Sequence, residues 1–284
     1  MNATGPADPR DRWGRLTRAE RNAAYDNNAA TADSAALVAA RNAASAAFRA
    51  EHAGHLDLAY GSRERQKWDI YPAADPGAPV LIFIHGGYWQ RNAREFFAIM
   101  AEGALERGLG VAMPGYTLAP EATLTEIVDE IRHALDWLEG ESAAHGAGGP
   151  AIVTGWSAGA HLAAMALDHP HVRAGLGISG VYELGPIRDT DLNAPLNLSD
   201  EEIARLSPLR LPPSPKPFSI AYGSAELPAL VEDSRQFHRL RAAAHAAGWL
   251  LPVAGANHFT VLDALREPNG EILAAILALA ERVR

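Results

Sequence analysis

Residues 155–159 read Gly-Trp-Ser-Ala-Gly, directly after the apolar run AIVT and directly before the helix-like AHLAAMAL. A serine held between a strand end and a helix start, flanked by glycines at both second neighbours, constrains the fold more than any other feature of this chain. In this context the serine backbone is strained and neighbouring backbones come so close that a β-carbon at Gly155 or Gly159 would collide with them. The turn therefore requires a sheet whose strand runs straight into a helix and presents the Ser157 hydroxyl at the sheet's edge. A chance pentapeptide in a chain with 25 glycines is the competing explanation, and the strand-turn-helix context weighs against it.

The rest of the chain supplies such a sheet. Short apolar or alternating runs fall at 56–60, 67–71, 79–85, 109–113, 150–154, 174–179, 217–222 and 248–253, separated in the later part by helix-length segments. Leu124, Ile127, Val128, Ile131, Leu135 and Leu138 follow the spacing of a helix with one buried face. Alternating strand and helix predicts an α/β domain over 56–284 with a mostly parallel, eight-stranded sheet, helices on both faces, and the first two strands antiparallel. Residues 15–53, rich in Ala, Arg and Asn, predict one or two helices, so that 1–55 forms an N-terminal helical flank or lid. Residues 181–216 break the rhythm with PLRLPPSPKP and a helix candidate at Asp200–Leu206, and are expected to lie lid-like over the ligand end. GAGGP at 146–150 lacks the Lys-Ser/Thr of a phosphate loop and is expected to be a turn.

A serine hydroxyl is a poor nucleophile at neutral pH; it needs a base, and the base needs an acid to orient it. His258 follows the last strand, in Ala256-Asn257-His258-Phe259, and is the expected base; otherwise it is a loop histidine like others among the eleven. Glu226 in Gly223-Ser224-Ala225-Glu226 is the expected acid, placed at a strand end, and Asp233 is the alternative from the following helix. The order serine, acid, histidine is that of the α/β-hydrolase fold. In that arrangement the transition-state oxyanion meets the amide after the serine, here Ala158, and amides of the loop after the third strand, here Gly86 and Gly87 in LIFIHGGYW.

LIFIHGGYW and GWSAGAHL, with Glu226 and the final Asn-His-Phe, resemble the α/β-hydrolase group of arylformamidases (kynurenine formamidases) and hormone-sensitive-lipase-like esterases. The resemblance runs over nearly the whole chain, includes Tyr25-Asp26-Asn27-Asn28 before the first strand, and extends to a lid region at Leu192–Pro208. It implies hydrolysis of an N-formyl-L-kynurenine-type aryl amide, with a carboxylesterase on short acyl esters as the alternative and a non-catalytic small-molecule receptor as a remote one. Two positions depart from the group: Trp156 stands where histidine is usual, and Glu226 where aspartate is commoner. Tyr88, Trp89, Trp156 and Phe259 are expected to wall the pocket for a small acyl group on an aromatic leaving group, although Trp89 and Trp156 could equally be core. Tyr25, Tyr116 and Tyr182 are expected to be structural.

The remaining features narrow the function by exclusion. The chain has no cysteine, which rules out disulfides, thiolate zinc sites and a cysteine nucleophile. A net charge of −9 with scattered basic residues argues against nucleic-acid and anionic-membrane partners and for a small, neutral or zwitterionic ligand, an ester or amide substrate. No apolar run reaches a membrane span and no h-region opens the sequence, so a cytoplasmic protein is expected. The sequons at Asn2 and Asn197 are expected to be chance. The pairs His52/His55 and His169/His171 lack partner carboxylate clusters, so neither a metal nor another cofactor is expected.

Overall fold

The computed structural model describes residues 13–283; Asn2 and the first part of the N-terminal flank lie outside them. Eight strands form one sheet: β1 (His55–Ala59), β2 (Lys67–Tyr71), β3 (Val80–Ile84), β4 (Gly110–Pro114), β5 (Ala151–Trp156), β6 (Val172–Ile178), β7 (Phe218–Gly223) and β8 (Leu250–Val253). Their spatial order is β1-β2-β4-β3-β5-β6-β7-β8, antiparallel for β1–β2 and β2–β4 and parallel elsewhere. From β3 the chain moves to β4 on one side, then returns to β5 on the other. The sheet's switch point thus lies between the carboxyl ends of β3 and β5, where open α/β sheets bind ligands.

Burial explains why the inner strands read as unbroken apolar runs. Every residue of β3, β4, β5 and β7 is buried, because helices cover both faces, whereas β1 alternates exposed and half-buried positions at the sheet's edge. The pleat sends Ile82 and Ile84 into one apolar layer and Leu81 and Phe83 into the other. Helix Leu124–Glu141 closes the first layer with the predicted stripe from Leu124 to Leu138, and helix Glu271–Val283 closes the second with Ile272, Ile276 and Leu279. Each such side chain contributes roughly 1.5–3 kcal/mol on burial. Thr123 and Glu126 form a capping box that fixes where helix Leu124–Glu141 starts. Among the described residues, no helix is long and apolar enough to cross a membrane.

Among the described residues the N-terminal flank contains three helices, Arg18–Ala23, Asn27–Ala30 and Ser34–Glu51, where one or two are expected. Two short-range caps divide it: Thr17 with Glu20, and Asp26 accepting from the Ala29 N–H. Helix Ser34–Glu51 is fastened to the 3₁₀ segment Arg94–Ala101 by Arg41 and Ser45, which both donate to the Phe96 carbonyl. In the insertion, Asp200–Leu206 is helical under a Ser199/Glu202 capping box, with two further single-turn helices before it. Strand limits move by one or two residues from the expected ones, as in β5, which extends to Trp156.

Candidate active site

Ser157 joins β5 to helix Ala158–Ala166 with φ 58° and ψ −118°, a conformation that costs an L-residue energy and persists only where packing enforces it. The packing is that of the two glycines. A β-carbon on Gly159 would lie 2.0 Å from the Ile84 carbonyl oxygen, and one on Gly155 would lie 2.2 Å from that of Gly159. Helix Ala158–Ala166 can therefore press its first turn against the end of β3, leaving Ser157 at the tip, buried and facing the cleft. Ala158 opens that helix, so its N–H has no intrahelical acceptor.

The segment after β3 is fixed just as firmly. The Tyr116 hydroxyl donates to the His85 carbonyl at 2.9 Å, while the Asn92 amide (3.1 Å) and His85 Nδ1 (2.9 Å) bond the Gly86 carbonyl. Across a trans peptide the next N–H points opposite to the carbonyl, so these bonds set the directions of the Gly86 and Gly87 N–H groups. Among the described residues neither N–H donates to a protein acceptor. To donate to Gly86, His85 must carry its proton on Nδ1, and burial lowers its pKa to about 3, which keeps the ring neutral. Gly86 also needs to be glycine for space, since a β-carbon there would lie 2.5 Å from the Trp156 carbonyl oxygen. Gly87 has φ +123°, and Tyr88 and Trp89 follow at φ 51° and 59°, a run of left-handed backbone that only a tightly held loop sustains.

His258 and Glu226 meet at 3.0 Å, Nδ1 to Oε2, with both side chains almost wholly buried. The other carboxylate oxygen accepts from the Gly223 N–H and from the Ser179 hydroxyl. Ser179, just past the end of β6 with φ 53°, is marked in the sequence only as a polar residue after an apolar strand. Asp233 sits elsewhere: it accepts from the Tyr182 and Glu183 N–H groups at 2.9 and 3.2 Å and holds the start of the insertion. Burial raises its pKa to about 7, against the pull of those two backbone donors. Trp156 lines the cleft, and its indole N–H also donates to the His258 carbonyl at 2.8 Å with the two rings 4.8 Å apart. No hydrogen bond links Ser157 Oγ to His258 among the described residues, a looseness common before substrate binds.

The cleft above these groups has a volume of about 790 Å³ and is lined by Gly87, Tyr88, Trp156, Ser157, His258 and Phe259 among others. Its walls come from residues between Asn22 and Arg41 and from Thr190, Asp191 and Leu192 of the insertion. Tyr88 ties the loop to the flank by donating to the Tyr25 carbonyl and accepting from Asn27 Nδ2, so Tyr25-Asp26-Asn27-Asn28 borders the site directly. Trp89 corrects an expectation: it does not line the cleft but is fully buried edge-on to His161, 5.0 Å away, because the left-handed turn at Tyr88 and Trp89 directs it into the core. Of the paired histidines, His169 bonds Asp136 at 3.0 Å and His52 stacks on Phe48.

A strained serine, an imidazole held by a carboxylate and two fixed N–H groups in one cleft form a layout suited to acyl transfer. The BD-FAE family model matches residues 68–171, which hold most of β2, all of β3 to β5 and the Ser157 turn with the helix after it. The kynurenine formamidase of Danio rerio is 27% identical over 230 residues, covering 75% of this chain and 78% of its own length. That of Salmo salar is 28% identical over 79% of this chain and 81% of its own. A solved Silicibacter protein described as a candidate thioesterase superposes with a TM-score of 0.81 at 29% identity, over 91% of this chain and 99% of its own. Esterase B of Lactobacillus rhamnosis, at TM-score 0.70 and 20% identity over 90% of this chain and 97% of its own, shares the fold. The chain is a serine hydrolase of the α/β-hydrolase fold, similar to kynurenine formamidases and to esterases of that fold.

Proposed function

We propose that this protein is an arylformamidase that removes a small acyl group from an aryl amide of the N-formyl-L-kynurenine type. The observation that carries the mechanism is the buried His258–Glu226 pair in one cleft with the strained Ser157. Ser157 Oγ attacks the carbonyl carbon as His258 Nε2 takes its proton, with Glu226 holding the imidazole by Nδ1. The N–H groups of Gly87, Gly86 and Ala158 stabilise the oxyanion, each worth roughly 3 kcal/mol in the transition state. His258 then returns the proton to the departing aryl amine, and water clears the acyl-enzyme by the same steps in reverse. Tyr88, Trp156 and Phe259 border the cleft with the aromatic surface that an aryl group packs against.

The similarity to the fish formamidases supports the amide substrate. A second reading, a carboxylesterase on short acyl esters, is supported by the 26% identity to Esterase LipC of Mycobacterium tuberculosis over 79% of this chain. Two measurements decide. An organophosphonate should add its mass to Ser157 in the wild type and much less in His258→Ala; equal labelling sinks the proposed triad. The kcat/KM for N-formyl-L-kynurenine should exceed that for short p-nitrophenyl esters, and a formamide slower by orders of magnitude hands the substrate to the esterase reading.

A further inference from the structure

Arg41 lies on helix Ser34–Glu51 and lines the cleft beside Trp156, His258 and Phe259. Its Nε donates to the Phe96 carbonyl (3.1 Å) and its Nη2 to Asn42 Oδ1 (3.0 Å), and its guanidinium lies 4.0 Å from the centre of the Phe97 ring. Among the described residues no carboxylate pairs with it, and Nη1 has no acceptor at all. The contrast with its neighbours is sharp, because Arg49 and Arg94 both close on the buried Asp69. Burial lowers the pKa of Arg41 to about 10, so it is still a cation at neutral pH, partly desolvated and without an anion to compensate. Such a group is costly to keep unless an anion arrives from outside.

The direction of that anion follows from the rings. The Arg41 guanidinium is 5.9 Å from the Trp156 ring, which is itself 4.8 Å from His258. A leaving group that takes its proton from His258 departs on the imidazole's side. We infer that Arg41 anchors a carboxylate carried by the leaving group, so that this hydrolase selects acidic aryl amides or esters over neutral ones. The inference rests on the proposed acyl transfer and adds to it a subsite for charge. The other charged groups lining the cleft are placed differently. Asp191 is held by Arg18 and Asn22, Asp26 caps Ala29, and Arg91 is exposed on the loop after Gly87.

The test compares ortho- and para-formamidobenzoate with their carboxamides, and the acetoxybenzoates with theirs, so that acid and amide differ only in charge. The expected wild-type kcat/KM ratio of acid to carboxamide is about tenfold or more for at least one isomer, the effect of one charge-assisted hydrogen-bonded pair. Arg41→Gln should bring that ratio close to one, with Arg41→Lys between, since an ammonium keeps the charge but not the fork. A wild-type ratio near one, or an equal fall in Arg91→Gln, overturns the subsite. The two pairs separate the failures. If only the acetoxy compounds turn over and the ratio holds, the amide reading falls and the subsite stands; if both turn over without preference, the subsite alone falls. Calorimetric titration with benzoate against benzamide reads the same subsite without turnover, and equal affinity there counts against it.

Discussion

The floor of the cleft and its walls are built by different physics. The floor consists of the turns after β3, β5 and β8, and its parts are buried and bound to one another: Ser157 and His258 are 2% and 4% exposed. The walls, residues 22–41 and 190–192, meet through surface interactions, of which Arg18–Asp191 at 2.8 Å joins side chains that are 60% and 71% exposed. An ion pair that open contributes only about 0–1 kcal/mol, whereas a buried acceptor left without its donor costs about 1–3 kcal/mol. The groups proposed for acyl transfer thus sit in the part that cannot rearrange cheaply. The charge subsite proposed at Arg41 lies in the part that can.

The comparison breaks first at Glu226. Glu226→Gln should lower kcat by about 10³-fold, because the imidazole loses its orienting acceptor, while Asp233→Asn keeps kcat within about threefold and moves stability instead. With its pKa raised from 3.8 to about 7, Asp233 gives its full stabilisation below pH 3.8 and loses it as the pH rises through 7. The Asn variant, which does not ionise, should gain on the order of several degrees in Tm over wild type between pH 4 and pH 8. A kcat collapse in Asp233→Asn with none in Glu226→Gln would reverse the roles given to the two carboxyls.

Next in size, Gly87→Ala puts a β-carbon 2.4 Å from the Arg91 carbonyl oxygen at a φ of +123°. Its kcat should fall about 10²-fold with little change in KM, as expected when an oxyanion donor is displaced. The smallest effect belongs to the wall. Asp191→Ala should shift KM only a few-fold and Tm by about a degree, in line with an exposed pair. If it cost as much as Gly87→Ala, the distinction between floor and wall would be gone.

The same division decided what the sequence could disclose. Floor residues announce themselves because strain and close approach admit few residue types: Gly155, Ser157 and Gly159 could be read from spacing, and Glu226 and His258 from strand ends. The eight strands were legible for a similar reason, since burial on both faces leaves only apolar side chains. Wall contacts leave no such trace. Nothing in an Ala-rich stretch distinguishes the helix break at Asp26 or marks Arg41 as facing a cleft, and Asp191 looks like any loop aspartate. Trp89 failed for another cause: adjacency to Tyr88 suggested a shared role, but two left-handed residues in succession separate their rings. Asn92 and Ser179 act only through backbone carbonyls and a carboxylate that are distant in the chain, which no local pattern records.

The clasp between Tyr88 and the N-terminal flank bears on how the molecule comes together during synthesis. Tyr25 and Asn27 leave the ribosome some sixty residues before the tyrosine they grip, and the Trp156 indole must wait 102 residues for the His258 carbonyl. Contacts with such long loops close late in folding. A growing chain therefore carries Ser157 well before His258 is made, and the two meet only when β8 docks at the sheet's edge. Hydrolytic competence becomes a property of the finished sheet, withheld from every partial chain by the order in which the strands are made.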